Sequence, residues 1–303
     1  MRWRMRPIFA PIYASLPVPS LRALLLVALA AVPASAQQRD ASLPRLSPSA
    51  SVSQSFGVTT VSVTYGRPSI KGRPVFAGDG SLAPLGQVWR AGADEASTVT
   101  FTTPVRVEGK TLGAGTYGLF AVPGASVWTV AFNAVPNQWG AFTYDLSKDV
   151  LRVDVIPTPS PASVEQFQVT FEAATDTSAT LVLAWDGLRV PVRLSADTYS
   201  LLEAQGDLAA DTTDWRVPFR YANWALAQNR LLDAGQRWAV RALALDANFS
   251  TLRLAALYAA ARADYTTALR LGQDALALGR TLPTPPQGLA DFERRVQAWH
   301  PQR

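Results

Sequence analysis

From Val61 to Leu194 apolar and polar residues alternate, in runs such as Val61, Val63, Tyr65; Val99, Phe101; Val105, Val107; and Trp128, Val130, Phe132. The same period continues through Leu151, Val153, Val155; Phe167, Val169, Phe171; Leu181, Leu183, Trp185; and Val190, Val192, Leu194. A period of two built from β-branched and aromatic residues predicts strands with one buried face. Glu108-Gly109, Pro123-Gly124 and Asp186-Gly187 punctuate the runs and read as hairpins or tight turns. Eight or nine short strands with no helical period predict an all-β domain over 50–196, either an antiparallel sandwich or a flattened barrel. Pro157, Pro159 and Pro161 lack the N–H that a ladder requires, so the segment is expected on an exposed loop.

Near Asp197 the period changes, and the chain becomes rich in Ala, Leu and Arg with apolar residues at helical spacing. Ala242-Leu243-Ala244-Leu245 aligns with Ala275-Leu276-Ala277-Leu278 at an offset of 33, close to the 34 residues of a tetratricopeptide helix pair. Ala263 to Leu269 resembles the start of a second repeat helix, and Leu245 to Asn248 the break between repeats. A tetratricopeptide-like helical region is therefore expected over 197–282. Pro283, Pro285 and Pro286 stop it, and the rest of 283–303 holds one short amphipathic helix from Leu289 to Trp299.

The first 36 residues carry Arg2, Arg4 and Arg6, then the apolar run Leu21 to Val32, then Ala34-Ser35-Ala36, the order of a secretory signal peptide. The expectation is export to the periplasm or beyond the cell. The apolar run is short for a membrane span and no later one is longer, so no transmembrane helix is expected after signal removal. Residues 37–49 are polar and proline-containing and predict a flexible leader, with order beginning near Ala50.

Export changes the charge picture. The formal net charge of +5 includes four arginines of the signal, and without them 24 basic residues face 23 acidic ones. With no basic run or basic helix face left, a nucleic-acid partner is set aside. No cysteine is present, so neither a disulfide framework nor a thiolate metal site is available.

Candidate chemistry concentrates in three stretches that are expected to meet: Tyr65 to Arg73, Val88 to Ser97, and Asn137 to Asp145. The one histidine, His300, lies near the end of the chain, which argues against a Ser-His-Asp or His-metal site, and no cofactor is expected. Arg67, Arg73 and Arg90 are suited to capture of a carboxylate or phosphate, and Trp89, Trp139 and Tyr144 could complete an anionic or glycan pocket. Alternatively Arg90 pairs internally with Asp94 or Glu95; Trp139 lies outside any strand pattern and is left open between core and surface. Asp94, Glu95 and Asp145 are the carboxylates that an Asp/Glu hydrolase would need.

Together Tyr65-Gly66-Arg67-Pro68-Ser69-Ile70-Lys71-Gly72-Arg73, Val88-Trp89-Arg90-Ala91-Gly92-Ala93, Ala114 to Phe120, Trp128 to Asn133 and Asn137-Gln138-Trp139-Gly140 resemble the bacterial exported family catalogued as domain of unknown function 2911. The resemblance covers roughly 50–194 and implies an exported β domain; it supplies no activity. Asp94 and Gly66 stand where the family pattern has Asn and Ser. The expected function is that of an exported, non-enzymatic binding or interaction protein of the cell envelope, whose helices either meet a peptide or envelope protein or pack against the β domain. The alternative is an envelope hydrolase acting on a carbohydrate or ester through Asp94, Glu95 or Asp145.

Overall fold

A computed structural model describes residues 43–299; the signal segment, most of the leader and His300 lie outside the described residues. From Arg45 onward the described chain belongs to one compact unit. Two antiparallel sheets face each other and do not close into a barrel. One holds β1 (Ser49–Phe56), β2 (Thr59–Gly66), β3 (Ser97–Phe101), β6 (Gly115–Val122), β7 (Trp128–Asn133) and β8 (Asp149–Val155) in the order β1-β2-β3-β6-β7-β8. The other holds β4 (Val105–Val107), β5 (Lys110–Leu112), β9 (Thr158–Glu172) and β10 (Ser178–Ser195) in the order β5-β4-β10-β9. The alternating residues Val61, Val63, Val99, Phe101, Val130, Phe132, Leu181 and Leu183 form the buried layer between them, as a period of two requires.

Two strands escape the alternation for physical reasons. In β6 Leu119, Phe120 and Ala121 are all buried, because Phe120 turns to the outer face and packs with Ala96, Ala131 and Tyr144 in a small second cluster. β1 is an edge strand of mostly serine at alternate positions, with little apolar signal. The Glu108-Gly109 turn joins β4 to β5, with Val107 paired to Lys110 and positive φ at both turn residues (47° and 81°), the geometry of a tight hairpin.

Three expectations are corrected. Pro159 and Pro161 are not in a free loop: Thr158 and Pro159 pair with Arg189 and Leu188, and β9 tolerates prolines because it is an edge strand whose outer side needs no donors. Asp186-Gly187 does not end a strand; it lies in an irregular stretch inside the 18-residue β10, where the register against β9 shifts on both sides of Asp186 (φ 52°). Order also begins before Ala50. Arg45 forms a bidentate pair with Glu95 at 2.8 and 2.9 Å, and Pro48 O accepts from Arg67 N at 2.8 Å.

Six helices follow: α1 (Thr198–Ala209), α2 (Arg216–Gln228), α3 (Leu232–Leu245), α4 (Phe249–Ala261), α5 (Tyr265–Thr281) and α6 (Leu289–Ala298). α2 and α4 start 33 residues apart, as do α3 and α5. Small buried residues recur at that spacing, Ala222 with Ala255, Ala239 with Gly272 and Ala242 with Ala275, which lets the helices approach closely. The break before α4 is a capping box: Asn248 accepts from Ser250 N and Thr251 N, and Thr251 Oγ1 accepts from Asn248 N. α1 is tied to the sandwich through the β9–β10 connection, where Thr198 Oγ1 donates to Asp176 O (2.6 Å) and Tyr199 OH to the Asp176 carboxylate (2.5 Å). Among the described residues no helix is long and apolar enough to cross a membrane.

Candidate functional site

The stretch before β3 is built around Trp89. Its backbone exchanges two hydrogen bonds with Ala121 of β6 (2.7 and 2.8 Å), which aims the indole between the sheets. There it stacks on Trp185 (centroids 5.6 Å apart, planes at 18°) and meets Phe76, Trp128 and Phe167 edge-on. Trp89 is 5% exposed and belongs to the core, which corrects its expected place on a polar-aromatic surface. Its Nε1 donates to Gly92 O (3.1 Å), so the core residue also fixes the loop that follows. Ser97 closes that loop, with its Oγ donating to Ala91 O (2.6 Å) and its N to Arg90 O (3.1 Å). Ala91 and Asp94 take positive φ (47° and 64°); aspartate tolerates this left-handed geometry better than most residues, as asparagine does.

The three dense stretches do meet, with Val88–Ser97 in the middle. On one side Tyr65–Arg73 leaves β2 and runs beside β9, through Phe167 N to Pro68 O (2.9 Å) and Ile70 N to Glu165 O (3.0 Å). Lys71 and Gly72 (φ 48° and 72°) turn the chain, closed by Arg73 N donating to Ile70 O (3.0 Å). The Arg73 guanidinium folds back onto Ser69 O (2.7 Å) and Ile70 O (3.1 Å). Arg67 is directed elsewhere: its Nε donates to Phe167 O (3.1 Å), which ties it to β9.

On the other side Asn137–Asp145 joins through Ala96 N to Gln138 O and Gly140 N to Asp94 O, both 2.9 Å, and through a bridge between Glu95 and Trp139. Trp139 is half-buried here. Tyr144 serves a buried network: the Asp149 carboxylate accepts from Tyr144 OH, from Arg152 Nη1 (2.7 Å) and from Asn133 Nδ2 (2.8 Å). Burial first, and then the bond to the Asp149 carboxylate, push the Tyr144 phenol up to about 12, with Arg152 opposing. The folded state thus favours the protonated phenol. Its contribution is complete below the unfolded value near 10 and is lost as pH rises through about 12. Tyrosinate absorbance titration should therefore lose one late-titrating phenol in Tyr144→Phe, while Tyr199 and Tyr258, also raised, still titrate late; an unchanged curve in that variant would show that the network does not hold the phenol.

Between the first two stretches lies a half-open cavity of about 330 Å³, lined by Ser69, Lys71, Arg73, Arg90 and Asp94, with Trp185 among its apolar walls. Of the expected site residues it gathers Arg73, Arg90 and Asp94; Arg67, Trp89, Glu95, Trp139 and Tyr144 are not in its lining. Lys71 and Ser69 were missed by sequence reasoning, although they sit inside a stretch already singled out. Arg90 carries the chemistry. Its Nε is buried and makes no hydrogen bond among the described residues. Burial lowers its pKa while the nearby Asp94 carboxylate raises it, and a guanidinium in that balance stays charged.

A half-buried guanidinium backed by a second arginine and a lysine defines a sandwich domain with a cationic pocket at the edge between its sheets. Residues 47–194 match the family model described as Protein of unknown function (DUF2911), so the sandwich is a domain of that family. No curated protein and no solved structure matches the chain.

Proposed function

We propose that this chain is an exported, non-enzymatic binding protein of the bacterial cell envelope whose sandwich captures a small anion, a carboxylate or phosphate group, in the cavity of Arg73, Arg90 and Lys71. The observation that carries this reading is the gathering of Arg73, Arg90 and Lys71 on the lining of one cavity, with the Arg90 Nε buried and without a hydrogen bond among the described residues. Three cationic side chains on one wall, one of them partly desolvated, are costly to hold together, and an anionic group in the cavity would compensate them. Export rests on the order of charge, apolar run and Ala-Ser-Ala over the first 36 residues. The helices are read as a tetratricopeptide-like module for a peptide or envelope protein, supported by the 33-residue spacing of α2 with α4 and α3 with α5.

The hydrolase alternative has less support. It needs two carboxylates around one opening, and among the described lining residues Asp94 is the one carboxylate, while Glu95 is engaged by Arg45. Asp145 sits elsewhere, capping a 3-10 turn through Ser147 N. Calorimetric titration of the chain from Gln37 with phosphate, sulfate and citrate tests the proposal. Arg90→Ala and Arg73→Ala should each weaken binding by about 10- to 100-fold, the worth of a charged hydrogen bond. Their melting temperatures should stay within a few degrees of wild type. Undiminished binding in both variants, or no binding of any of the three anions, overturns it.

A further inference from the structure

A second cavity, of about 510 Å³, lies where the sandwich turns meet α1 and α2, and it shares no lining residue with the cationic pocket. Its size falls in the range of small-molecule sites, about 300–1,000 Å³. Val58 comes from the β1–β2 turn, Leu202 and Tyr199 from α1, and Tyr221 and Trp224 from α2. Trp224 is 37% exposed, so part of its indole is open to a ligand in the cavity.

The polar groups decide what fits. Thr198 Oγ1 donates to Asp176 O, and the Asp176 carboxylate accepts from Tyr199 OH, so both polar groups of this wall are already engaged by the protein. Arg230 lies over the Tyr199 ring, 5.4 Å from its centroid, on the same side of the structure. Arg220, exposed on α2, lines the cavity and has no salt bridge among the described residues. The walls are thus mainly apolar and aromatic, with Arg220 as the lining cation and Asp176 as the lining carboxylate, the latter already taking the Tyr199 hydroxyl. A neutral sugar would meet few polar groups for its several hydroxyls on such walls, and a cationic ligand would face Arg220 and Arg230 against one engaged acid.

We infer that this cavity binds an apolar carboxylate: a ring or branched apolar body against Tyr221 and Trp224, with its anionic end on Arg220. Such an end group belongs either to a free aromatic acid or to the C-terminus of a peptide, and both present the same chemistry. The site is independent of the cationic pocket, so the two proposals fail separately.

The test uses the chain from Gln37 with N-acetylphenylalanine, its C-terminal amide, acetate, and the acetylated tripeptide Ala-Ala-Phe, each titrated calorimetrically. N-acetylphenylalanine should bind, with its amide and acetate each weaker by about tenfold or more, since each lacks one half of the recognition. Tighter binding of the tripeptide identifies a peptide terminus as the source, and equal or weaker binding a free acid. Arg220→Gln and Trp224→Ala, both at exposed positions, should each weaken binding of the acid by about tenfold, whereas Arg90→Ala should leave it unchanged. Equal affinity for acid and amide, insensitivity to both cavity substitutions, or no binding of the acid or the tripeptide at up to about 10 mM overturns the inference.

Discussion

Trp89→Ala is expected to destabilise the chain by about 3–5 kcal/mol, the usual cost of deleting a large buried aromatic. The indole is 5% exposed and touches four other aromatic rings, so its removal leaves a cavity that Phe76, Trp128, Phe167 and Trp185 cannot fill without leaving their own positions. A loss of that size should lower the melting temperature by on the order of 10 °C. Trp139→Ala should cost less, since Trp139 is only half-buried. The two variants compared by thermal circular dichroism decide the matter: equal melts would return Trp89 to the surface. Binding at the cationic pocket should also fall in Trp89→Ala, because Gly92 O loses its donor and the loop carrying Arg90 and Asp94 loosens. That loss comes through the loop; the indole is not in the cavity lining.

How Trp89 came to be misplaced shows what a sequence can carry. Strands announce themselves by alternation, and the sandwich followed from it, as did the change to helix near Asp197. Trp89 is held by a single bridge to Ala121, which leaves no periodic trace, and its flanking Arg90, Gly92 and Asp94 look like surface. The prolines of β9 misled in the opposite direction. They forbid a central strand, and only the sheet order, which puts β9 at an edge, permits them. Convergence of Arg73 and Arg90 was legible because loops at one edge of a sandwich share a surface. The diversion of Arg67 to Phe167 O was not, since it depends on the register of the chain beside β9. Nor could residue types say that Glu95 would be taken by Arg45, fifty positions away.

Gly66→Ser should be the more informative substitution, because it adds a side chain at a place where this chain has no room for it. A Cβ built on Gly66 would lie 2.3 Å from Ala93 O, far inside contact distance, and the obstacle is backbone. Gly92 faces Gly66 from the other side, where a Cβ would come 3.0 Å from Gly66 O. The end of β2 and the loop 91–94 therefore pass with no side chain between them, and glycine at 66 is demanded by that approach, since its φ is not in the left-handed region. Serine must push the loop outward, straining Ala91 and Asp94, which already hold positive φ, and drawing Gly92 O away from the Trp89 indole. A destabilisation of about 1–3 kcal/mol is expected, the range for forcing atoms into a packed site. Anion affinity should fall with it, as Arg90 and Asp94 flank the displaced segment. Gly72→Ala is the control: nothing lies within 4 Å of its Cβ position, so only its φ of 72° resists, at a cost of about 1–2 kcal/mol, and the cavity wall stays in place. Gly66→Ser with wild-type melting and wild-type anion binding would show that the loop yields freely, and the close approach would then play no part in shaping the pocket.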